Sequence, residues 1–280
     1  MNWLDVSVGD VNGDGKADII ARYFTGSTVD WWVAKSTGSS FNTSYFGSWG
    51  NVVWADVKVG DFNGDGKSDV AGRWTNSGGA DQWWIGTSTG TSFNSSNLTN
   101  WGHVTWSNVV VGDFTGNGTS DLAGLWVTNP SDQWWVASTA ASGSGATATN
   151  AMWTQWGNVP WTNVMTADIN GDGKSDIIGR VASGQFAGQW YVAISNGTGF
   201  TTSLLDTWDP NISWSDVVVG DFNGDGKMDI AARTGSGSWY FSYSTGTSLV
   251  HANSPITTLA LNYVFSGVGK VDAALFHGLV

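Results

Sequence analysis

The chain consists of short runs in which polar and apolar residues alternate, separated by glycine-rich turns. In residues 56–60 an apolar side chain recurs at every second position, which predicts a strand with one buried face. A glycine-rich loop follows, and residues 70–74 resume an extended run. Residues 82–87 predict a third strand and residues 93–98 a fourth. No window carries a helical stripe, so the pattern predicts a unit of four short strands without a helix.

This unit recurs about every 53 residues along the chain. A tryptophan stands seven residues before each Asp-rich loop, an aromatic pair follows each loop, and four of the units end in another tryptophan. Periods of roughly 40–50 residues are typical of propellers, solenoids and repeat arrays. A β-solenoid has a shorter period, and units of this size would hardly be stable as separate domains. We therefore predict an all-β fold, a β-propeller of four-stranded blades.

The repeats extend over the whole chain, which we predict to be a single propeller domain of residues 1–280. Five full repeats are assigned approximately to residues 3–50, 51–102, 103–158, 159–210 and 211–262. Residues 263–280 form a partial sixth repeat, because Gly267, Gly269, Lys270 and Asp272 follow the loop pattern. This arrangement favours five blades with a degenerate terminal hairpin. A ring of six or more blades, completed by another chain, is the alternative.

Each full repeat carries one loop with the same order of polar residues. Side chains with oxygen atoms occupy loop positions 1, 3, 5 and 9, and glycine occupies positions 4 and 6. The residue at position 7 offers its backbone carbonyl. Because glycine permits a tight turn, these oxygens can converge on one cation, and such a set suits Ca²⁺ better than Zn²⁺ or Mg²⁺. An EF-hand is excluded, since position 12 is Ala or Gly where that loop needs Glu.

Four of the five loops keep three carboxylates, whereas the third has Asn117 at position 5. Calcium affinity depends on ligand charge, so we expect four calcium ions and leave a fifth, in the third loop, open. The alternative is that the loops are ordinary Asp/Asn/Gly turns. The candidate ligands at positions 1, 3, 5, 7 and 9 are Asp10, Asn12, Asp14, Lys16, Asp18, Asp61, Asn63, Asp65, Lys67, Asp69, Asp113, Thr115, Asn117, Thr119, Asp121, Asp168, Asn170, Asp172, Lys174, Asp176, Asp221, Asn223, Asp225, Lys227 and Asp229.

Residues 59–73, Val-Gly-Asp-Phe-Asn-Gly-Asp-Gly-Lys-Ser-Asp-Val-Ala-Gly-Arg, with the Trp-Trp-Ile-Gly that follows, resemble an FG-GAP or VCBS repeat. The resemblance extends from residue 3 to about residue 262. It implies a calcium-binding β-propeller similar to those of integrin α subunits, certain fungal propeller lectins and many secreted bacterial proteins. The resemblance is specific for the fold and the metal, and it does not identify a ligand.

All four arginines of the chain occupy one repeat position, four residues after the last Asp of the loop. The third repeat has Leu125 at this position. We expect these arginines to balance the acidic loops of neighbouring blades. They are Arg22, Arg73, Arg180 and Arg233.

The 20 tryptophans have two possible uses. Each blade of a propeller is covered on both faces, so the paired aromatics after the loops are predicted to belong to the core. Sugars stack their apolar faces on aromatic rings, so tryptophans at the ends of repeats and outside the repeat pattern are candidates for exposed ligand platforms. These candidates are Trp49, Trp101, Trp156, Trp208, Trp74 and Trp126.

Composition and charge exclude several classes of function. The formal net charge is −12 and all 23 acidic residues are Asp, so the basic surface that nucleic acid requires is missing. The chain has no cysteine for a disulfide or a thiolate zinc site. No apolar run has the length of a membrane span, so no membrane insertion is expected. The sequence begins without a signal peptide, and we expect a secreted or extracellular protein represented by its mature or excised module.

Catalysis has little support in the sequence. The three histidines occupy unrelated repeat positions. Without Glu, a paired-carboxylate glycosidase would need two Asp residues outside the metal loops, and most such residues recur at fixed repeat positions. We therefore expect no enzyme.

These observations favour a calcium-stabilised, non-enzymatic propeller that binds carbohydrate, as lectins do, or acts as an extracellular cell-adhesion module. Its partner would be a glycan or another cell-surface ligand. One alternative is an architectural or protein–protein interaction propeller of a larger secreted protein. Another is a carbohydrate-active enzyme similar to a lyase. A homo-oligomer formed through the terminal hairpin also stays open.

Overall fold

The computed structural model describes residues 3–252 of the chain. In this range the regular secondary structure consists of 20 strands and no helix. The first four are β1 (Trp3–Gly9), β2 (Asp18–Phe24), β3 (Val29–Ser36) and β4 (Phe41–Trp49). The next are β5 (Trp54–Gly60), β6 (Asp69–Thr75), β7 (Asp81–Ser88) and β8 (Phe93–Trp101). They are followed by β9 (Trp106–Gly112), β10 (Asp121–Trp126), β11 (Ser131–Ser142) and β12 (Gly145–Gly157). The remaining strands are β13 (Trp161–Ala167), β14 (Asp176–Val181), β15 (Gln189–Ser195), β16 (Phe200–Thr207), β17 (Trp214–Gly220), β18 (Asp229–Thr234), β19 (Trp239–Ser244) and β20 (Leu249–His251).

Each successive group of four strands forms one antiparallel sheet in chain order. We call these sheets blades 1 to 5. Five four-stranded antiparallel blades are the architecture of a β-propeller, so the predicted all-β propeller fold is confirmed. The predicted partial sixth repeat, residues 263–280, lies outside the described residues. Within residues 3–252, no helix with the length and apolar character of a membrane span is present.

The described residues group into two compact units, each with its own core. The first unit consists of residues 3–113, 117–126 and 135–152, which include blades 1 and 2 and most of blade 3. The second unit consists of residues 114–116, 127–134 and 153–252, which include blades 4 and 5. In both units the core consists of apolar side chains buried between consecutive blades.

Consecutive blades within a unit pack through two complementary faces. We define the trailing face by the residues equivalent to Ile20, Trp31, Val33 and Phe46 of blade 1. We define the leading face by the residues equivalent to Val57, Val59, Val70 and Phe93 of blade 2. The trailing face of blade 1 packs on the leading face of blade 2 in one buried cluster. The same packing joins blades 2 and 3 in the first unit and blades 4 and 5 in the second.

The tryptophan that ends a repeat inserts between two blades. Trp49 packs against Trp54 of the next blade, with ring centroids 4.3 Å apart. A Cβ atom at Gly72 would lie 2.8 Å from Cζ3 of Trp49. Trp101 has the same relation to Gly124 in the following blade. The glycine in the second strand is therefore required by the close approach of an indole ring.

The first strand of every blade contains a residue with a left-handed backbone. In blade 2, the pairing of β5 with β6 shifts register between Ala55 and Lys58, which marks a β-bulge. The residue in the bulge is Asp or Asn in all five blades, and these residues tolerate a positive φ better than most others. The bulge residues are Asp5, Asp56, Asn108, Asn163 and Asp216, with φ of 48°, 51°, 49°, 50° and 49°.

Candidate functional site

The Asp at loop position 1 is held by backbone N–H groups. In the second loop, Asp61 Oδ1 accepts hydrogen bonds from the N–H groups of Gly64 (2.7 Å) and Asp65 (3.1 Å), and Oδ2 accepts one from Gly66 (2.8 Å). Gly64 and Gly66 have φ of 72° and 81°, a region that favours glycine. The same contacts recur in the first, fourth and fifth loops. Each of these four loops therefore wraps around one carboxylate.

The Asp at position 9 connects the loop to the third strand of its blade. Asp69 is fully buried, and its oxygens accept hydrogen bonds from the N–H groups of Phe62 (3.1 Å) and Ser88 (2.7 Å). Equivalent bonds are present in the first, fourth and fifth loops. Burial, together with the nearby carboxylates of Asp61 and Asp65, raises the pKa of Asp69 to about 7, although the two backbone hydrogen bonds oppose this shift. A cation among these carboxylates would offset their repulsion.

The lysine at position 7 forms an ion pair inside its own loop. Lys67 Nζ lies 3.1 Å from Asp65 Oδ2. The first, fourth and fifth loops have the same pair, at 3.1, 3.1 and 3.4 Å. In the first loop the hydrogen bond from the Lys16 ammonium lowers the pKa of Asp14. From the sequence we predicted only that the backbone carbonyl of this residue would be a cation ligand. The ion pair formed by its ammonium group was not predicted.

The acidic side chains of the loops do not converge on a common point in this structure. Within residues 3–252, no three carboxylate or imidazole groups lie close enough together to hold a metal ion as they stand. Positions 1, 3 and 5 nevertheless supply carboxylate and amide oxygens within a single turn. This donor set fits Ca²⁺, which prefers hard oxygen ligands in flexible geometry.

The third loop holds its position-1 carboxylate as the others do, since Asp113 accepts hydrogen bonds from the N–H groups of Asn117 (3.1 Å) and Gly118 (2.8 Å), but it satisfies its other polar groups differently. Asn117 Nδ2 donates to the carbonyl of Thr139 (2.8 Å), and Thr119 Oγ1 donates to Asn117 Oδ1 (2.6 Å). Thr139 Oγ1 lies 2.8 Å from both Thr119 Oγ1 and the carbonyl oxygen of Ser120, and its single O–H donates to one of them at a time. Neutral hydrogen bonds thus take the place of the lysine–carboxylate pair that the other four loops contain.

The arginines pair with the β-bulge and do not face the acidic loops of neighbouring blades, so the sequence-based expectation is wrong. Arg73 Nε donates to Asp56 Oδ2 (2.8 Å) in the first strand of its own blade. In the other three blades Arg22, Arg180 and Arg233 contact the bulge residue in the same way. The guanidinium therefore stabilises the Asp or Asn that adopts a positive φ.

In blade 2 the arginine also neutralises a buried carboxylate. Asp81 is fully buried, and its Oδ2 accepts a hydrogen bond from Arg73 Nη1 at 2.7 Å. Burial alone would raise the pKa of Asp81, but hydrogen bonds from Thr75, His103 and Arg73 outweigh burial and hold this pKa below its ordinary value. This charged cluster is a structural element at the end of β6 and the start of β7.

The structure corrects the assignment of exposed tryptophans. Trp49, Trp101, Trp156 and Trp208 are only 4%, 5%, 2% and 4% exposed, so they are not surface platforms. They are buried because the following blade covers them. The first members of four aromatic pairs are fully buried, as predicted, and they are Trp31, Trp83, Trp134 and Trp190. The second members and the Trp239–Tyr240 pair are half-buried or exposed, which the prediction of a core position did not anticipate.

Trp74 is a candidate that keeps an accessible surface. It is half-buried at the end of β6 and lines a shallow groove with Arg73, Thr75 and the connection from blade 1, including Asn51 and Val53. Trp126 occupies the equivalent place in blade 3, where it pairs with the first-strand tryptophan of that blade. Because the residue before Trp126 is Leu, the guanidinium is missing there.

A further polar cluster in the second unit was not found from the sequence. His251 Nδ1 lies 3.0 Å from Ser242 Oγ, and His251 Nε2 lies 3.3 Å from Asp206 Oδ2. Asp206 Oδ2 also accepts a hydrogen bond from Trp208 Nε1 (2.9 Å). Ser242 is only 2% exposed, so a substrate cannot reach its hydroxyl in this arrangement. The residues come from different repeats, and no sequence spacing connects them.

No curated protein sequence matches this chain. Among solved structures, the rhamnogalacturonan lyase YesW is 14% identical with a TM-score of 0.46, and the match covers 88% of this chain and 50% of YesW. The rhamnogalacturonan lyase PL11 of Bacillus licheniformis is 15% identical with a TM-score of 0.47, with 89% and 51% covered. The exotype rhamnogalacturonan lyase YesX is 14% identical with a TM-score of 0.46, with 89% and 49% covered. The chain spans about half the length of these proteins, and similarity at this level carries no information about activity.

Family models match the repeats directly. A model of the FG-GAP-like repeat matches residues 10–72 and 61–124, and a model of the FG-GAP repeat matches residues 213–251. Together these matches cover more than half of the chain, and they include the first, second, third and fifth of the loops described above. The chain therefore belongs to the FG-GAP repeat proteins.

Proposed function

We propose that this protein is a calcium-stabilised propeller in which four loops each bind one Ca²⁺ ion. The observation that supports this most directly is the common geometry of the first, second, fourth and fifth loops. In each, backbone N–H groups orient the position-1 carboxylate, and an Asn and a second Asp follow within four residues. The third loop shares the orientation of its first carboxylate but has the neutral Asn117 in place of the second. Such preorganisation reduces the entropy lost when the ion binds.

In this proposal calcium competes with the lysine of the loop. In the second loop the Lys67 ammonium neutralises Asp65, and the bound ion would supply that positive charge. The positive charge of the ion would also stabilise the carboxylate form of the buried Asp69. Four ions would change the formal net charge from −12 to −4. Self-repulsion of the folded chain would therefore decrease on binding.

The third loop is proposed to remain without calcium. Its position-5 residue is neutral, and Asn117 Oδ1 already accepts a hydrogen bond from Thr119 Oγ1. Binding an ion there would break this contact without relieving repulsion between carboxylates. The expected stoichiometry is four ions per chain.

Thermal unfolding with and without chelator tests the calcium proposal. An ion that binds only the folded state stabilises it by about 2.7 kcal/mol per site at 100 times the Kd. We expect EDTA to lower the Tm, Ca²⁺ to restore it and Mg²⁺ to restore it less. Asp65→Asn should remove one ion in native mass spectrometry, whereas Asp209→Asn, an exposed Asp outside the loops, should remove none. An unchanged Tm under chelation would refute a stabilising calcium role.

We further propose that the groove at Trp74 binds carbohydrate. The half-buried indole offers an apolar face for a sugar ring, and Arg73 and Asn51 place hydrogen-bond donors beside it. Calcium would stabilise the blades and would not contact the ligand. The module would then act outside the cell as a lectin or in adhesion, without catalysis. An architectural propeller and a lyase-like enzyme are the competing functions.

A glycan array followed by titration tests the carbohydrate proposal. Trp74→Ala should abolish binding of any glycan found, whereas Tyr45→Ala, which changes an exposed aromatic outside the groove, should not. Incubation of the same glycans with wild-type protein would detect lyase activity as new unsaturated ends. If the calcium-loaded protein binds no glycan, the lectin proposal fails and the calcium proposal is unaffected.

A further inference from the structure

We propose that the groove at Trp74 selects neutral sugars over acidic ones, because Asp56 and Asp81 already neutralise the arginine in its wall, Arg73. This inference rests on the carbohydrate-binding function proposed above and adds the chemical class of the sugar. It gives Asp56 a second role besides that of the bulge residue, as a determinant of specificity.

The wall of the groove is mostly uncharged. Besides Arg73 and Trp74, the lining residues that the structure describes carry no charge, namely Asn51, Val52, Val53, Ala55 and Thr75. An arginine in such a place ordinarily indicates an anionic ligand, because a guanidinium can hold both oxygens of a carboxylate at once. Whether Arg73 can bind a ligand carboxylate therefore depends on the groups that already contact it.

Every nitrogen of the Arg73 guanidinium already contacts a carboxylate. Nε donates to Asp56 Oδ2 (2.8 Å), and Nη2 lies 2.7 Å from the same oxygen. Nη1 donates to Asp81 Oδ2 (2.7 Å). The Nε and Nη2 donors, a pair that could hold a ligand carboxylate, are thus taken by Asp56. The N–H groups left on Nη1 and Nη2 can still donate to a sugar hydroxyl.

The two carboxylates outweigh the charge of the arginine. Asp81 is fully buried, and hydrogen bonds hold its pKa below the ordinary value, so it is ionised at neutral pH. Asp56 and Asp81 therefore carry two negative charges against the single positive charge of Arg73. His103 Nδ1 lies 3.2 Å from Asp81 Oδ1 and adds a positive charge only when it is protonated.

A nearby lysine does not create a positive surplus. Burial lowers the pKa of Lys58, and the carboxylate of Asp56 opposes that shift. Even with Lys58 counted as charged, the four groups Asp56, Lys58, Arg73 and Asp81 sum to zero. The whole chain has a formal net charge of −12 and stays negative with four calcium ions bound. A carboxylate that enters the groove would thus lose water without gaining a net positive charge.

Blade 4 shows that Asn serves at the bulge as well as Asp. Asn163 has nearly the same positive φ as Asp56, 50° against 51°. Its Oδ1 accepts hydrogen bonds from Arg180 Nε (3.2 Å) and Nη2 (3.0 Å). Asp56→Asn should therefore keep the bulge and the position of Arg73 while it removes one negative charge beside the groove.

Paired glycans test the selectivity of the full calcium-loaded chain. A glycan array presents oligosaccharides of each neutral hexose beside those of the uronic acid with the same configuration. Calorimetric titration of the best pair follows at about pH 8, where imidazole groups are ordinarily neutral. The neutral glycan should bind to the wild type, and its acidic counterpart should bind at least about tenfold more weakly.

Asp56→Asn measures the contribution of the groove itself. It should narrow the difference between the two glycans about two- to fivefold at low salt, as expected for one partly exposed charge. Asp216→Asn makes the same change at the equivalent position of blade 5, with the same change in net charge, and should leave the ratio of affinities unchanged. Circular dichroism checks the fold of both variants.

Three outcomes would overturn the inference while the carbohydrate function stands. The acidic glycan could bind to the wild type as tightly as its neutral counterpart, a result that needs no variant. Asp56→Asn could leave the ratio unchanged. Asp216→Asn could narrow the ratio as much as Asp56→Asn, which would assign the effect to net charge. If neither class of glycan binds, the carbohydrate proposal fails and this inference fails with it.

Discussion

Replacing Gly124 with Ala should destabilise the packing between blades 2 and 3. A Cβ atom at Gly124 would lie 2.6 Å from Cζ3 and 2.8 Å from Cη2 of Trp101. Trp101 cannot move away easily, because it packs against Trp83 and Trp106 with ring centroids 5.2 and 4.4 Å away. Its Nε1 also donates to Asn150 Oδ1 at 3.0 Å. The added methyl group therefore has to displace a ring that is held on three sides.

Insertion of a methyl group into a packed core costs about 1–3 kcal/mol. At about 2–4 °C per kcal/mol for a chain of this size, the Tm should fall by about 2–12 °C. Blade 5 provides a natural comparison, since Ala232 occupies the equivalent position. There the ring centroids of Trp208 and Trp214 are 4.7 Å apart, wider than the corresponding pair in blade 3. Blade 5 has room for the methyl group that blade 3 lacks.

A double-mutant cycle measures this effect by urea and thermal unfolding followed by circular dichroism. Trp101→Ala alone should cost about 3–5 kcal/mol through loss of a buried indole. In that background Gly124→Ala should cost much less, because only the 3.1 Å contact of the new Cβ atom with Cε3 of Trp106 is left. Coupling of at least about 1 kcal/mol is therefore expected. If the two changes are additive, or if Gly124→Ala alone is neutral, then the close contact of Trp101 with Gly124 does not limit the size of residue 124.

Three further changes test the loops and the charged cluster. Lys67→Met should raise the calcium affinity of the second loop roughly two- to fivefold at low salt, because it frees Asp65, and titration calorimetry at high salt should show a smaller difference. Arg73→Met should destabilise the fold by about 3 kcal/mol at pH 7, because buried Asp81 loses the guanidinium that neutralises it. The pKa of Asp81 is depressed in the folded state, so its contribution is present above its ordinary pKa of 3.8 and is lost as the pH falls through the folded value. Urea unfolding should therefore show a smaller effect of Arg73→Met near pH 3 than at pH 7. Asp113→Asn should leave four calcium ions in native mass spectrometry, whereas the matching change in the second loop should leave three.

The strands and loops followed from local pattern. Alternation in residues 56–60 and the turn at Gly64 and Gly66 are properties of short segments, and the structure places β5 and β6 on either side of that turn. The repeated Asp and Asn of the first strand were visible as a pattern, although their role was not. A β-bulge with positive φ becomes apparent only when two strands pair.

The wrong assignments all concern contacts between elements. Trp49 ends its repeat beside a turn, where a ring is often exposed, but the second strand of the next blade covers it. Arg73 follows an acidic loop in sequence, yet the strand carries its guanidinium to Asp56 at the opposite end of the hairpin. The ion pair of Lys67 with Asp65 lies within one loop, and it was missed because it depends on how that loop turns. No spacing in the sequence distinguishes these partners.

The sequence by itself determined the number of described blades, the order of their strands and the residues of the metal loops, because repeat period, alternation and turn chemistry are encoded locally. The tertiary structure decided which aromatic rings are core and which are surface, since both faces of a blade carry apolar residues and a face is buried only where another blade meets it. Phe41 and Phe93 stand at the same repeat position, yet they are 53% and 7% exposed.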